Sequence, residues 1–206
     1  MSLIALLNRS RETSLGLFKG VPVSDQWIEN LVRLVQTKPP SCLSGFRTTP
    51  VARAQKYAHL AGWALACSCG STRGKLLGYP ITDFNPTYNG PPMFVSPLAF
   101  LCSSCDKTTE IIDTQQHGYD SEISKPYGKS SDTNRRGTGP RQVMQCSKCR
   151  RQEFSMTAVC TYSDFDLIED EPGLEPRVQE YFDSFGCFGT CAECGQESCM
   201  AGFELA

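Results

Sequence analysis

The sequence predicts an α+β protein: a small helical N-terminal section followed by a β-rich body whose strands are stapled by bound metal. Three observations predict it. Apolar residues before position 62 recur at helical spacing, and no cysteines pair there. Beyond that point, short apolar and aromatic runs end at Gly, Pro or Asn. Eight of the twelve cysteines fall into four close pairs, at 67 and 69, 102 and 105, 146 and 149, and 191 and 194.

At 206 residues, with 40% apolar side chains, the chain is long enough to bury a genuine core. The opening MSLIALLNRSRE places its basic residues after a short apolar run, which is the wrong order for a signal peptide. No stretch reaches the roughly 18 to 20 apolar residues that span a bilayer. These features lead to the expectation of a soluble, cytoplasmic protein.

Residues 1–62 form the helical section. In SDQWIENLVRLVQTKPP, Ser24 or Asp25 can cap a first turn, Trp27, Leu31, Leu34 and Val35 share a face, and Pro39 and Pro40 end the helix. A second helix is expected to open at Thr49 with Pro50 in its first turn and to run through Val51, Ala54, Ala58 and Ala61. Residues 63–122 change period: WALACSCG, KLLGYPI, MFVSPLAFL and TTEIID read as four strands. Pro97 lacks an N–H for the ladder, which puts the third at an edge or a bulge.

Residues 123–142 are a basic, Gly/Ser-rich stretch with too few apolar side chains to order itself, so an exposed loop is expected. Residues 143–206 hold the second knuckle unit. Phe154, Met156, Ala158, Cys160 and Tyr162 alternate onto one strand face, which makes Cys160 a small buried hydrophobe. A helix with Val178, Tyr181, Phe182 and Phe185 on one side is expected to end at Gly186.

Thiolates one or two residues apart can bend around one ion, and two such knuckles supply the four tetrahedral ligands that zinc prefers. Cys67, Cys69, Cys102 and Cys105 make a first candidate site, and Cys146, Cys149, Cys191 and Cys194 a second. Cys187 and Cys199 are alternative ligands near the second. Two zinc ions per chain are therefore the expected cofactors. The Gly after Cys69 and after Cys194 suits a knuckle that needs a positive φ past its second ligand. CSCG, CSSC, CSKC and CAECG resemble the knuckles of zinc-ribbon and rubredoxin-type proteins, and this resemblance implies a zinc-ribbon-like body. It covers the knuckles and their strands, half of the chain at most, and implies no particular activity.

A net charge of −2 conceals an asymmetry. Lys125, Lys129, Arg135, Arg136, Arg141, Lys148, Arg150 and Arg151 face a single acid, Asp132, within 125–151, whereas eleven acids and only Arg177 follow from residue 161. Opposite charges in neighbouring segments can neutralise each other, so a protein partner is the first expectation and nucleic acid, bound through those eight cations with Tyr127 as a stacking side chain, the second. The third is a metal-dependent enzyme using Asp113, His117, Asp120 and Glu122. The plainer reading of that group is a turn in which His117 and Asp113 bond to local backbone. His59, the other histidine, reads as a packed or surface residue. A non-catalytic module is the resulting expectation, because four cysteines leave no open coordination position.

Overall fold

The structure, a computed structural model, describes residues 25–51, 60–119, 136–162, 173 and 175–205. These residues build one nine-stranded sheet. Its strands are β1 (Arg47–Pro50), β2 (Leu60–Ala66), β3 (Arg73–Pro80), β4 (Phe94–Cys102), β5 (Thr108–Ile112), β6 (Gln142–Val143), β7 (Phe154–Thr161), β8 (Ser184–Cys191) and β9 (Glu197–Glu204). The main path runs β1-β2-β7-β3-β4-β5, with β6 on β3 and with β8 and β9 extending from β7. One α-helix, α1 (Asp25–Thr37), packs near β2 and the turns at 175–180. Among the described residues, no helix is long and apolar enough to cross a membrane.

This overturns the expected fold class of a small helical section on a zinc-ribbon-like body. Strand is the main element of the described residues and helix a minor one, and the sheet curls into a half-barrel. The error lay in treating short apolar runs as local units, whereas their edges pair across the whole chain.

The first expected helix is present. Leu31 and Val35 are fully buried on one face of α1, and it stops before the two prolines. Ser24 and the side chain of Trp27 lie outside the described residues. The second does not form at its expected start or end: Thr49 and Pro50 belong to β1, paired with Ala64 and Trp63, and Ala61 belongs to β2. Pro50 is tolerated because β1 is an edge strand. Residues 52–59, including His59, lie outside the described residues.

The C-terminal helix is absent too. Residues Glu175–Glu180 form 3₁₀ turns, and Phe185 and Gly186 already belong to β8, opposite Cys160 and Val159. Val178, Tyr181, Phe182 and Phe185 are all buried, so the apolar spacing was real but arose from turns leading into a strand. The Phe182 and Phe185 rings join Tyr162 and Phe203 in a chain of contacts, edge-on for Tyr162–Phe182, tilted for Phe182–Phe185 and stacked for Phe185–Phe203, with centroids 6.5, 6.0 and 6.4 Å apart.

The strand expectations from 63 to 112 match β2 to β5. Pro97 does not sit on an edge, since β4 pairs with both β3 and β5; it lies next to the register shift between Leu98 and Ala99. In β7 the residues Phe154, Met156, Ala158 and Cys160 are buried in alternation, followed by Tyr162.

The registers contain an internal duplication. The order knuckle, strand, strand, knuckle, strand occurs once through β3, β4 and β5 and again through β7, β8 and β9. Counted back from Cys102, the pairs Leu101↔Thr108, Phe100↔Thr109 and Ala99↔Glu110 correspond to Thr190↔Glu197, Gly189↔Ser198 and Phe188↔Cys199 counted back from Cys191. Both hairpins then slip by one residue at the same place and resume at Leu98↔Ile112 and Cys187↔Ala201.

The halves meet where β3 and β7 pair antiparallel at Gly74↔Phe154, two residues that are each other's counterparts. Antiparallel pairing of equivalent residues requires a local pseudo-two-fold axis. The leading strands are exchanged across it: β6 pairs with β3 through Leu77↔Val143 and Gly78↔Gln142, and β2 pairs with β7 through the matching Ala64↔Thr157 and Trp63↔Ala158. Each half thus completes the other's sheet.

Candidate metal centres

Each cysteine pair sits where a strand turns. Cys67 and Cys69 lie between β2 and β3, Cys102 and Cys105 at the β4–β5 hairpin, Cys146 and Cys149 before β7, and Cys191 and Cys194 at the β8–β9 hairpin. In three of the four turns the backbone closes identically. The Cys102 N–H donates to the Lys107 carbonyl (3.0 Å) and the Asp106 N–H to the Cys102 carbonyl (3.1 Å). The same bonds link Cys146 to Arg151 and Arg150, and Cys191 to Gln196 and Gly195. The CxC turn is one residue shorter, with Cys67 bonded to Ser71 and Gly70 instead.

The residue after each second cysteine has a positive φ: Gly70 (95°), Asp106 (56°), Arg150 (64°) and Gly195 (68°). The left-handed turn is therefore general, although only two of the four positions carry the glycine that accepts it without cost.

Strand pairing then brings the knuckles together two by two. The sulfurs of Cys67, Cys69, Cys102 and Cys105 all lie within 4.8 Å of one another, as do those of Cys146, Cys149, Cys191 and Cys194. The closest contacts are Cys67–Cys105 at 3.6 Å and Cys69–Cys102 at 3.7 Å, matched by Cys146–Cys194 at 3.7 Å and Cys149–Cys191 at 3.5 Å. A zinc–sulfur bond of about 2.3 Å gives a tetrahedron whose edge is about 3.8 Å. Both groups therefore have the dimensions of a metal–thiolate tetrahedron and can hold one ion each. Because Cys102, Gly74, Phe154 and Cys191 follow one another across adjacent strands, the two centres flank the pseudo-dyad. Three strand spacings place them about 14 Å apart.

The electrostatics favour thiolates at the first cysteine of each knuckle. The Cys69 amide holds the Cys67 thiol down to about 6, and the Cys149 amide holds Cys146 down to about 7. Cys191 is lowered chiefly by the Cys194 amide; at Cys102 burial opposes ionisation but the Ser104 and Cys105 amides outweigh it. Without a cation these thiolates oppose further ionisation within each group. Although the Lys107 amide favours its thiolate, Cys105 is pushed up to about 12 by the neighbouring sulfurs. Cys149, despite the Arg151 amide, is likewise pushed up to about 12 by desolvation and its neighbours. A bound divalent cation removes that repulsion and deprotonates all four ligands.

Cys187 and Cys199, the alternative ligands, lie further along the β8–β9 hairpin and outside both groups. Burial raises both thiols, Cys187 to about 12, and the Cys199 Sγ contacts the Ala201 carbonyl at 3.4 Å. Burial also raises Cys42 and Cys160, which behave as core residues.

The His117 group forms a local turn. His117 Nδ1 lies 3.1 Å from the Asp113 amide nitrogen and 2.9 Å from its carbonyl oxygen. The Asp113 carboxylate accepts from the Gln115 amide (3.1 Å), Gln116 Nε2 (3.0 Å) and Arg136 (2.8 Å). Burial alone would raise this carboxyl, but Arg136 and the Gln115 amide hold it below its ordinary value. Asp120 and Glu122 lie outside the described residues.

The basic stretch separates into three parts. Lys125, Lys129 and Arg135, with Tyr127, lie outside the described residues. Arg136 pairs with Asp113, and Arg141 forms a two-pronged pair with Glu110, both nitrogens at 2.7 Å. Residues 136–142 of the expected loop are in fact strapped to the sheet, through Gly137 N–H to Ser96 O and Tyr79 hydroxyl to Gly139 O, both 2.8 Å. Lys148, Arg150 and Arg151 are exposed around the second cysteine group. Comparison of the chain with protein-family models, curated proteins and solved structures finds no match.

Proposed function

We propose that this is a non-catalytic cytoplasmic protein in which two zinc ions clamp the centre of a duplicated sheet, and that it acts as a recognition module for a protein partner. The observation that carries this reading is the closed donor set: each group offers four sulfurs at tetrahedral spacing. A catalytic zinc keeps a position open for water or substrate, whereas four thiolates fill the shell. Zinc suits an all-sulfur tetrahedron and undergoes no redox change, and eight reduced thiols suit a reducing compartment.

The enzyme reading needs His117 and at least two carboxylates facing one space. Asp113 is instead engaged by Arg136 and local amides, and His117 by its own turn. Nucleic-acid binding through the basic stretch would rely on Lys148, Arg150 and Arg151 among its described cations, because Arg136 and Arg141 are committed to carboxylates. Their placement around the second knuckle makes that edge the candidate contact surface for an acidic protein partner.

Comparative affinity capture tests the reading. The wild-type chain and a variant with Lys148, Arg150 and Arg151 all changed to Glu, with equal metal content, are used side by side. Nuclease-resistant partners retained by the wild type and lost by the variant support protein recognition. Retention that disappears with nuclease or follows a steep salt dependence transfers the assignment to nucleic acid; partners held equally by both variants remove this surface from the account.

A further inference from the structure

We propose that the first cysteine site, Cys67, Cys69, Cys102 and Cys105, is an exchangeable metal site, which passes its ion to a thiolate-rich acceptor or takes up a competing soft cation, while the second site holds its ion. The proposal rests on the zinc reading above and uses the duplication as an internal control. Both centres have the same topology, the same cross-knuckle sulfur contacts and nearly the same dimensions. Their difference therefore comes from their surroundings.

The first difference is access. Cys69 and Cys105, the second ligand of each knuckle, are exposed, whereas their counterparts Cys149 and Cys194 are half-buried and packed against the core. Ligand exchange at a metal shell filled by four thiolates begins when an incoming donor reaches the ion or when one sulfur lets go into solvent. Both routes need an open side, and only the first site has two exposed sulfurs.

The second difference is the frame. The Cys67–Cys69 turn is one residue shorter than the other three and so has one amide fewer with which to hold its sulfurs. Charge does not separate the sites: Lys148, Arg150 and Arg151 stand with Glu153 and Glu193 at the second, and Arg73 and Lys107 with Asp106 at the first, Lys107 being tied to the Ser68 hydroxyl at 3.2 Å.

In the exchange, the metal–sulfur bonds to Cys69 and Cys105 break first and are replaced by bonds to the acceptor's thiolates; those to Cys67 and Cys102 follow as the acceptor completes its shell, and freed sulfurs take protons from solvent. No electron is transferred. The second site remains as a fixed anchor about 14 Å away across the dyad, three strand spacings distant.

The test follows metal release from the native, fully loaded chain into excess chelating dye, with N-ethylmaleimide pulses at each time point and mass-spectrometric mapping of the labelled cysteines. The expected result is two phases of one ion each, the first faster by about tenfold or more. Cys69 and Cys105 are labelled in that phase, while Cys149 and Cys194 stay protected. Release of both ions in one phase, or labelling of Cys149 and Cys194 first, overturns the proposal and leaves the zinc reading intact. A chain that carries no ion at the start overturns both.

Discussion

Replacing Cys191 by Ser removes one sulfur from the better-shielded centre. Cys191 is 2% exposed, ends β8 opposite Phe154 beside the pseudo-dyad, and its sulfur lies 3.5 Å from that of Cys149. A structural zinc site contributes about 10 to 16 kcal/mol at neutral pH. If each of four equivalent ligands carries a quarter of that, losing one costs about 3 kcal/mol. This is a large part of the 5 to 15 kcal/mol that typically holds a domain together. At about 2 to 4 °C per kcal/mol for a chain of this size, the midpoint should fall by roughly 6 to 12 °C. Thermal denaturation followed by circular dichroism, with and without excess chelator, measures it. Chelator should lower the wild-type midpoint strongly and the variant's much less. Cys160→Ala is the control, being equally buried yet outside both groups, and should keep its full chelator response. A Cys191→Ser midpoint within 2 °C of wild type, together with a wild-type midpoint indifferent to chelator, would refute the reasoning.

Other perturbations test the frame around the centres. A Cβ at Gly74 would lie 2.4 Å from the Phe100 ring and 2.7 Å from the Leu101 carbonyl, so Gly74→Ala should cost about 1 to 3 kcal/mol in a urea titration. Gly195 and Arg150, which follow the two knuckles of the second group, share a left-handed backbone, so Gly195→Ala should lose about 1 kcal/mol and Arg150→Gly should lose nothing or gain slightly. Asp113 has its carboxyl lowered in the fold, so its pairing with Arg136 stabilises the protein at neutral pH. That contribution is complete above the unfolded carboxyl value near 3.9 and disappears as pH falls through the lower folded value. The stability gap between wild type and Asp113→Asn should accordingly be widest near neutral pH and close in strong acid; a gap that widens toward acid would show the opposite sign.

Much of the metal chemistry could be read from the sequence because a knuckle is a local object. Two cysteines and the turn residue between or after them are enough to mark it, and the four pairs stood out in the numbering. How those pairs combine depends on strand pairing over 33 to 48 residues, which spacing only suggests. The duplication was missed for a similar reason. Its signal was there, in four knuckles each followed by a strand, but side chains at equivalent positions differ: Gly74 matches Phe154, and Ala64 matches Val143. Register, not residue type, is what the halves share.

The two misread helices came from physically sound cues in the wrong context. Thr49 and Pro50 fit a helix start as well as they fit an edge strand, and only the pairing with Ala64 and Trp63 decides between them. Val178, Tyr181, Phe182 and Phe185 are buried as a helix face would be, yet a short turn that leads into β8 buries them equally well. Arg136 and Arg141 looked like free cations because Asp113 and Glu110 lie 23 and 31 residues away.

The central claim is that eight sulfurs form two closed zinc centres. Elemental analysis of the intact chain, purified without added metal or chelator, tests it most directly when Cys69→Ser and Cys191→Ser are measured beside it. The account predicts two zinc ions per wild-type chain and one in each variant. No zinc, a single ion in the wild type that neither variant changes, or iron in place of zinc would contradict it.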